Sequence, residues 1–242
     1  MDHHWREIKD MEESDNDIRM FFKRWPRFYY FIANVFGPVM FTGLGAKKFL
    51  NKYPSADKKL NLGSGPTHLA DDVINVDAHP YKGVDVLADI KNLPFENDSV
   101  SRIVLDNVIE HVRSPQKVLE EIKRTLSIGG LAYICMPFIY PFHASPEDHF
   151  RWTKMGFIGI LKDFDFEIVE VGVRAGPISA LTTLMCYLVA LLFSFGNRRL
   201  YLLIMNLCIL IFFPIKLLDL IFARLPNASD LAAEMYYVVR KK

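Results

Sequence analysis

Two glycines and two aspartates stand at the ends of apolar segments, where a small molecule could be bound. The stretch "LNLGSG" (residues 60–65) ends an apolar run in a glycine turn, and Asp77 and Asp89 end the next two runs, "DVINVD" and "VDVLAD". Gly63 and Gly65 let the main chain approach a ligand closely, because no Cβ intervenes. A carboxylate at Asp77 can accept two hydrogen bonds from a ribose diol, and one at Asp89 can accept a bond from the amino group of a purine.

A phosphate-containing dinucleotide is a poorer match to this pattern. Such a ligand normally needs a third glycine, so that the N-terminus of the following helix can bind the pyrophosphate. His68 occupies that position, and residues 66–72 are too few for a regular helix. The pattern therefore favours a nucleoside ligand without phosphates.

A second set of polar residues follows the fourth and fifth apolar segments, "SRIVLDN" and "LAYICMPF". His111 lies just after the fourth, and His143, Asp148 and Arg151 lie in "FHASPEDHFRWT" after the fifth. Either histidine can act as a general base toward an acceptor hydroxyl, although His111 can also be a helix-capping residue. Asp148 and Arg151 can equally form a purely structural ion pair. The spacing in this loop fits no standard zinc pattern, so we expect no metal site.

The elements that must position these residues alternate between strands and helices. Five strands are predicted at "KLNLG", "DVINVD", "VDVLAD", "SRIVLDN" and "LAYICMPF". Between the last two, "SPQKVLEEIKRTL" has the apolar spacing of an amphipathic helix that begins at Ser114-Pro115 and stops at Gly129-Gly130. This alternation indicates a largely parallel sheet covered on both faces.

Residues 59–173 and 234–242 resemble a class I S-adenosylmethionine-dependent methyltransferase, of the small type found in glycan and lipid biosynthesis. The residues that carry the resemblance are "LNLGSGP", "VDVLADIKNLPFENDSVSRIVLDNVIEHV" and "EEIKRTLSIGGLAYICMPF". The resemblance implies a Rossmann-like, doubly wound α/β fold with seven mostly parallel strands. "FEIVEVGV" and "EMYYVVRKK" are then strands six and seven, at the antiparallel end of the sheet.

The resemblance also implies roles for individual residues around S-adenosyl-L-methionine. Similar enzymes carry a histidine, a Pro-x-Asp and an arginine near the acceptor, as this chain does at His143, Asp148 and Arg151, and His111 completes the catalytic candidates. Two departures from the family pattern are Asn61, which replaces an acid, and the shortened first helix. The implied cofactor-binding residues are Leu62, Gly63, Ser64, Gly65, Asp77, Ala78, Asp89, Ile90, Asn107 and Val108.

Residues 174–233 form an apolar insertion between the sixth and seventh strands. Its two uncharged runs, "ISALTTLMCYLVALLFSF" and "LYLLIMNLCILIFFP", are separated by "GNRR" and are at or below the lower length limit for a membrane span. Both ends must return to one sheet, which excludes a single crossing. A full hairpin would carry Arg198 and Arg199 away from the cytoplasm, against the positive-inside tendency. Monotopic attachment at the cytoplasmic face is therefore favoured over a two-span hairpin.

Residues 1–58 are predicted to be a helical N-terminal segment. Basic residues alternate with aromatics from residue 18, which is typical either of a membrane-interfacial patch or of a helical cap packed on the core. The acidic and polar start lacks the features of a secretory signal. The patch comprises Arg19, Lys23, Arg24, Trp25, Arg27, Phe28, Tyr29 and Tyr30.

Bulk composition narrows the function further. A net charge of +1 argues against a nucleic-acid partner, and three widely spaced cysteines in apolar runs indicate buried thiols in a reducing compartment.

The first hypothesis is a membrane-associated methyltransferase that acts on a lipid-linked sugar, a glycolipid or another amphipathic small molecule. The alternatives are a lipid quinone or isoprenoid methyltransferase, a non-catalytic membrane-anchored binding or scaffold module with this fold, and a soluble enzyme whose apolar segments form a homodimer interface. The oligomeric state stays open.

Overall fold

The computed structural model describes residue 37 and residues 39–143 and 147–242 of the chain. The predicted interfacial patch, and the part of the predicted helical N-terminal segment that precedes residue 37, lie outside these residues. The first described helix is α1 (Ala46–Lys52), which buries Ala46 and Phe49 against the sheet.

Seven strands form one sheet, and all run parallel except the last in the chain. In spatial order the sheet reads β3-β2-β1-β4-β5-β7-β6. The sequence-based prediction of a Rossmann-like, mostly parallel seven-stranded fold is confirmed. The strands are β1 (Lys59–Leu62), β2 (Val73–Asp77), β3 (Val86–Leu87), β4 (Val100–Asp106), β5 (Leu126–Pro137), β6 (Phe166–Ala175) and β7 (Glu234–Lys241).

Helices α2 (Pro115–Thr125) and α3 (Lys154–Asp163) cover the sheet. Proline opens α2, where its missing N–H is not needed, and Val118, Leu119 and Ile122 are fully buried in the main core. α3 starts at the Thr153 cap, whose side chain accepts a bond from the amide of Gly156.

The predicted end of α2 is wrong by several residues. The helix stops at Thr125 rather than at Gly129, because Leu126 already pairs with Val100 as the first residue of β5. The register then shifts, and Arg102 pairs with Leu131. The third strand is also shorter than predicted, at two residues. Residues 63–72 form turns and a loop, as the sequence predicted.

Two apolar helices, α4 (Pro177–Phe193) and α5 (Arg198–Phe212), pack against each other in the insertion. Gly196 turns the chain between them with a φ of 77°, and the Asn197 side chain caps α5 by accepting a bond from the amide of Leu200. After them come a 3₁₀ turn (Ile215–Leu218) and the short helix α6 (Asp219–Phe222).

A buried carboxylate fixes the start of α4. The Asp219 side chain accepts hydrogen bonds from the amides of Ile178 (3.0 Å) and Ser179 (2.7 Å), the first free donors of that helix. Gly176 makes room for it, because a Cβ there would lie 2.3 Å from an Asp219 oxygen. The insertion is thereby joined to the end of β6.

In the described part of the chain, no single helix has both the length and the apolar composition needed to cross a membrane. One bent pair, Arg198–Phe212 with Ile215–Phe222, meets these two criteria across a 46° break.

Replacing Asp219 by alanine removes both capping bonds and leaves the amides of Ile178 and Ser179 unpaired. We expect the free energy of unfolding to fall by about 3 kcal/mol, since bonds to a charged acceptor contribute about 1.5–3 kcal/mol each. Urea unfolding followed by circular dichroism measures this loss. Asp163→Ala, at an exposed position on α3, is the control and should change stability by less than about 0.5 kcal/mol. Equal effects in the two variants would contradict the capping role.

Candidate active site

The glycine turn lies at the carboxyl end of β1, against the loop that follows β4. Gly63 has a φ of 63°, and a Cβ built on it would lie 2.6 Å from a Val108 methyl group. Any larger residue would therefore push these two segments apart. In a parallel sheet this edge is where ligands bind, beside the point at which the strand order reverses, which here lies between β1 and β4.

Asp77, at the end of β2, holds the turn in place. One carboxylate oxygen accepts a bond from the amide of Gly65 (2.8 Å) and the other from the amide of His79 (2.9 Å). Each oxygen retains a second lone pair, which leaves the side chain able to accept from a diol. Asp77 therefore contacts the glycine turn directly.

A cleft of about 190 Å³ opens beside the turn. Two buried atoms in the residues that line it have no hydrogen-bond partner among the described residues, the Asn107 Oδ1 acceptor and the Arg174 Nε donor. The amino-acid end of S-adenosylmethionine carries an ammonium and a carboxylate, which would satisfy an acceptor and a donor of this kind. The residues present therefore fit this cofactor. The lining is Phe41, Asn61, Gly63, Ser64, Thr67, Leu69, Asp106, Asn107 and Arg174.

The other predicted cofactor-binding residues differ in their exposure to solvent. Asp89 is half exposed, and its carboxylate contacts the amide (2.9 Å) and Nζ (3.3 Å) of Lys91. The side chains of Leu62 and Ile90 belong to the core, so a ligand would meet their main chain. Ala78 is exposed.

Three ionisable groups gather at the same edge of the sheet, at the ends of β4 and β6 and the start of β7. Because β7 is antiparallel, its first residue, Glu234, pairs with Pro137 at the end of β5 and with Ala175 at the end of β6. Burial, together with the nearby Asp106, raises the pKa of Glu234 to about 7. Burial also raises the pKa of Asp106, and the Arg174 guanidinium opposes that shift.

Arg174 connects this group to the segment before α1. Its guanidinium lies 4.2 Å from the ring centroid of Phe41, and its carbonyl accepts bonds from the amides of Thr42 (3.1 Å) and Gly43 (3.2 Å). The segment thereby forms one wall of the cleft.

The loop after β5 is organised by Arg151 and Asp148, which form a bidentate pair with bonds of 2.6 and 2.7 Å. Asp148 also accepts a bond from the amide of His143 (2.9 Å). Burial works against ionisation of Asp148, but these bonds outweigh it and lower the pKa to about 2. The ion pair is therefore structural, and it fixes the position of His143.

The same loop is fastened to the segment that follows β4. The amide of His149 donates to the carbonyl of Glu110 (2.9 Å), and His111 Nδ1 bonds the carbonyl of Glu147. The His149 side chain turns to Glu147, 3.0 Å away.

Glu110, His111 and His143 come together where the two segments meet. The histidine rings lie edge to face with centroids 5.1 Å apart, and His111 Nε2 is 3.7 Å from Glu110 Oε1. Glu110 is fully buried, and neither of its carboxyl oxygens has a hydrogen-bond partner among the described residues. Burial raises its pKa to about 8. Burial also lowers the pKa of His143, which favours a neutral ring.

Sequence reasoning missed Glu110, Glu234, Asp106 and Arg174. Glu110 was visible in the "IEHV" stretch but was passed over in favour of its histidine neighbour. Glu234 opens a terminal antiparallel strand, and the predicted topology alone would have placed it at the ligand-binding edge. No pattern in the sequence marked Arg174, which becomes part of the cleft only through the segment that packs on it.

The strand order and the cleft at the switch point define the class I methyltransferase fold. Residues 66–134 match a family model described as a methyltransferase domain. This match spans less than a third of the chain, from just after the glycine turn into β5. In a comparison with curated proteins, no sequence matches this chain.

Solved structures share the fold at low sequence identity. A protein from Bacillus halodurans C-125 described as a methyltransferase is 14% identical, with a TM-score of 0.51 over 81% of this chain and 98% of its own. A chain from the Haloferax volcanii complex between the Trm112 methyltransferase activator and a protein described as a methyltransferase is 18% identical, with a TM-score of 0.50 over 81% and 88%. Geranyl diphosphate C-methyltransferase from Streptomyces coelicolor A3(2), solved with S-adenosyl-L-homocysteine, is 10% identical, with a TM-score of 0.50 over 81% and 75%.

The family match and the shared fold together support a class I S-adenosylmethionine-dependent methyltransferase, with S-adenosylmethionine as its cofactor.

The buried Glu234 makes stability depend on pH. Its pKa rises from near 4.5 in the unfolded chain to about 7 in the folded one, so the folded state holds the extra proton and stability falls as pH rises through this range. Glu234→Gln should reduce the loss of unfolding free energy between pH 5.5 and 8.5 by about 2 kcal/mol. Urea titrations at the two pH values measure it. Glu167→Gln, at an exposed residue paired with Arg240, is the control. An unchanged pH dependence in Glu234→Gln would contradict this assignment.

Proposed function

We propose that this chain is a membrane-associated methyltransferase that transfers the methyl group of S-adenosylmethionine to an amphipathic acceptor at the cytoplasmic face of a membrane. A lipid-linked sugar or glycolipid is the leading acceptor class. The observation that carries the proposal is an apolar cavity next to the acceptor loop, within a helical insertion that exposes many large hydrophobic side chains.

The cavity has a volume of about 550 Å³ and lies between α4 and the segment that includes α6. Ile178, Leu181, Leu184, Phe222 and Leu225 are among the residues that line it. This volume falls in the range of small-molecule pockets. Its nearly uniform apolar lining suits an acyl or isoprenoid chain.

Two consecutive residues connect the cavity to the polar site. Ile139 lines the cavity, and the ring of the next residue, Tyr140, lies edge to face with His143 at 5.1 Å between centroids. An acceptor with an apolar tail in the cavity can therefore present its polar head toward His143 and His111.

Most of the exposed large hydrophobic side chains among the described residues belong to this insertion, and Leu191, Leu192 and Ile211 are each about two-thirds exposed. A soluble monomer rarely tolerates an apolar surface of this extent. A lipid surface would cover it, and Arg198 and Arg199 at the α4–α5 turn can extend to the headgroups. Because S-adenosylmethionine is cytosolic, we place this attachment at the cytoplasmic face.

The reaction is an in-line displacement at the methyl carbon. The acceptor oxygen forms a bond to that carbon while the carbon–sulfur bond breaks, and its electrons leave with sulfur to give neutral S-adenosylhomocysteine. The hydroxyl proton must pass to a base. A histidine of the cluster formed by Glu110, His111 and His143 can take it, since the Glu147 carbonyl bonds His111 Nδ1 and leaves the lone pair of Nε2 available. Alignment of the two reactants supplies most of the rate enhancement.

Cofactor binding tests the first half of the proposal. In calorimetric titration with S-adenosylmethionine, we expect one site per chain and a dissociation constant raised at least about tenfold in Asp77→Asn, because a hydrogen bond to a charged acceptor contributes about 1.5–3 kcal/mol. Asp71→Asn, at a fully exposed residue in the loop between β1 and β2, is the control. Absence of binding by the wild type, or an unchanged constant in Asp77→Asn, would refute the assignment.

Vesicle flotation and methyl labelling test the second half of the proposal, which is membrane attachment and the nature of the acceptor. Leu191→Asp with Ile211→Asp should reduce partitioning onto vesicles by about tenfold per residue, because each leucine-sized side chain contributes about 1.5–3 kcal/mol when buried. Ile128→Asp, exposed on β5, is the control and should float with vesicles like the wild type. With cofactor carrying a labelled methyl group, label should appear in a lipid fraction of membrane extracts. Unchanged flotation of the double variant would contradict membrane attachment.

The outcomes also separate the alternatives. Label in a prenylated quinone rather than a glycolipid would assign the isoprenoid function. Cofactor binding without transfer to any extract would favour a binding or scaffold module. Recovery as a soluble dimer without detergent would assign the apolar face to a second copy of the chain.

A further inference from the structure

We propose that Glu110, His111 and His143 bind a divalent transition-metal cation, of the Zn²⁺ type, at the junction between the segment after β4 and the acceptor loop. One ligand atom from each residue lies within 4.8 Å of the other two. The spacing in the loop predicted no metal site, because the three ligands come from two separate segments and no single sequence spacing contains them.

The ligand set is that of a catalytic rather than a structural site. Two imidazoles and one carboxylate leave at least one coordination position open, and this combination suits Zn²⁺ and its first-row neighbours better than Mg²⁺ or Ca²⁺. In a tetrahedral site with bonds of about 2.1 Å, neighbouring ligand atoms are about 3.4 Å apart. His111 Nε2 and Glu110 Oε1, at 3.7 Å, are already close to this separation.

The buried carboxylate is the observation that points to a cation. Glu110 has no exposed surface, and no described residue donates a hydrogen bond to either of its oxygens. Buried polar groups are almost always paired, and an unpaired carboxyl of this kind calls for a ligand. Its charged neighbours include Asp148 and Glu234, with Arg151 as the cation among them. A divalent cation would offset this excess of acids.

Both histidines are held in the orientation that a metal ligand needs. His111 Nδ1 bonds the Glu147 carbonyl, which leaves the lone pair of Nε2 for the metal. His143 Nδ1 lies 3.3 Å from the Pro141 carbonyl and 3.3 Å from an Asp148 oxygen. Arg151 Nη2 is also 3.1 Å from this nitrogen, but its two protons have the Asp148 and Pro141 oxygens as partners. A carboxylate behind a histidine is a common outer partner in metal sites.

The site is accessible from one side only. Glu110 is buried, whereas the side chains of His111 and His143 are 15% and 29% exposed. A cation can enter past the histidines, and its open position then faces the space that the acceptor would occupy. If the methyl-transfer proposal holds, the bound cation would replace the histidine base: it would bind the acceptor oxygen and lower the pKa of its hydroxyl, and the proton would pass to solvent water before the displacement.

Cobalt binding tests the site without reference to activity. The full chain is freed of metal by chelation and titrated with Co²⁺, with His3→Ala and His4→Ala as background because adjacent histidines near the N-terminus can bind Co²⁺. We expect one Co²⁺ per chain, with visible d–d absorption of a four- or five-coordinate ion that Zn²⁺ displaces. Glu110→Gln and His143→Ala should each weaken binding by about 100-fold or more, since loss of an outer partner alone costs about 10–100-fold. His68→Ala, at an exposed histidine, is the matched control.

Thermal unfolding separates loss of the site from loss of the fold. Without metal, Glu110→Gln should melt at or above the wild-type temperature, because it removes an unpaired buried carboxyl, while the upward shift that Zn²⁺ gives the wild type should disappear. Absence of the cobalt spectrum, or its retention in either ligand variant, overturns the inference. A chain that binds S-adenosylmethionine but not Co²⁺ refutes the metal site alone, and one that binds Co²⁺ but not S-adenosylmethionine refutes the proposed function alone.

Discussion

Charged side chains are buried at the edge of the sheet where β1, β2 and β4 end and β7 begins, and each needs a partner there. Asp77 takes two main-chain amides, and Asp148 takes Arg151. Glu110 and Glu234 are less well matched, and their pKa values rise in consequence. Burial of an uncompensated charge costs several kcal/mol, and a carboxyl that keeps its proton avoids most of this cost. A partner that bound at this edge would let these groups ionise.

The antiparallel strand β7 is what brings the two halves of the site together. It runs between β5 and β6, so the ends of both of those strands meet its start. Arg174 then extends toward Asp106, and Phe41 covers the guanidinium. The insertion begins directly after β6 and returns at β7, which fixes the apolar cavity beside the same edge. The polar site and the apolar cavity therefore lie side by side, because β7 connects the strand ends at the site to the insertion.

Much of this fold was predictable because the local signals were strong. Apolar segments bounded by glycine and aspartate gave five strands close to their observed positions, and the lack of a helix after β1 followed from its length. The end of α2 was not predictable, because the pairing of Leu126 with Val100 overrides the glycine signal at Gly129. The third strand was overestimated, since only two of its residues find partners on β2.

The sequence by itself determined the alternation of strands and helices, the glycine turn with Asp77 beside it, and the presence of a long apolar insertion. These depend on periodicity and on residues that are near one another in the chain. Only the tertiary structure decided that Glu110 meets His143 and that Arg174 lines the cleft. Contacts between segments tens of residues apart depend on strand order and loop packing, and no local pattern of residues encodes them.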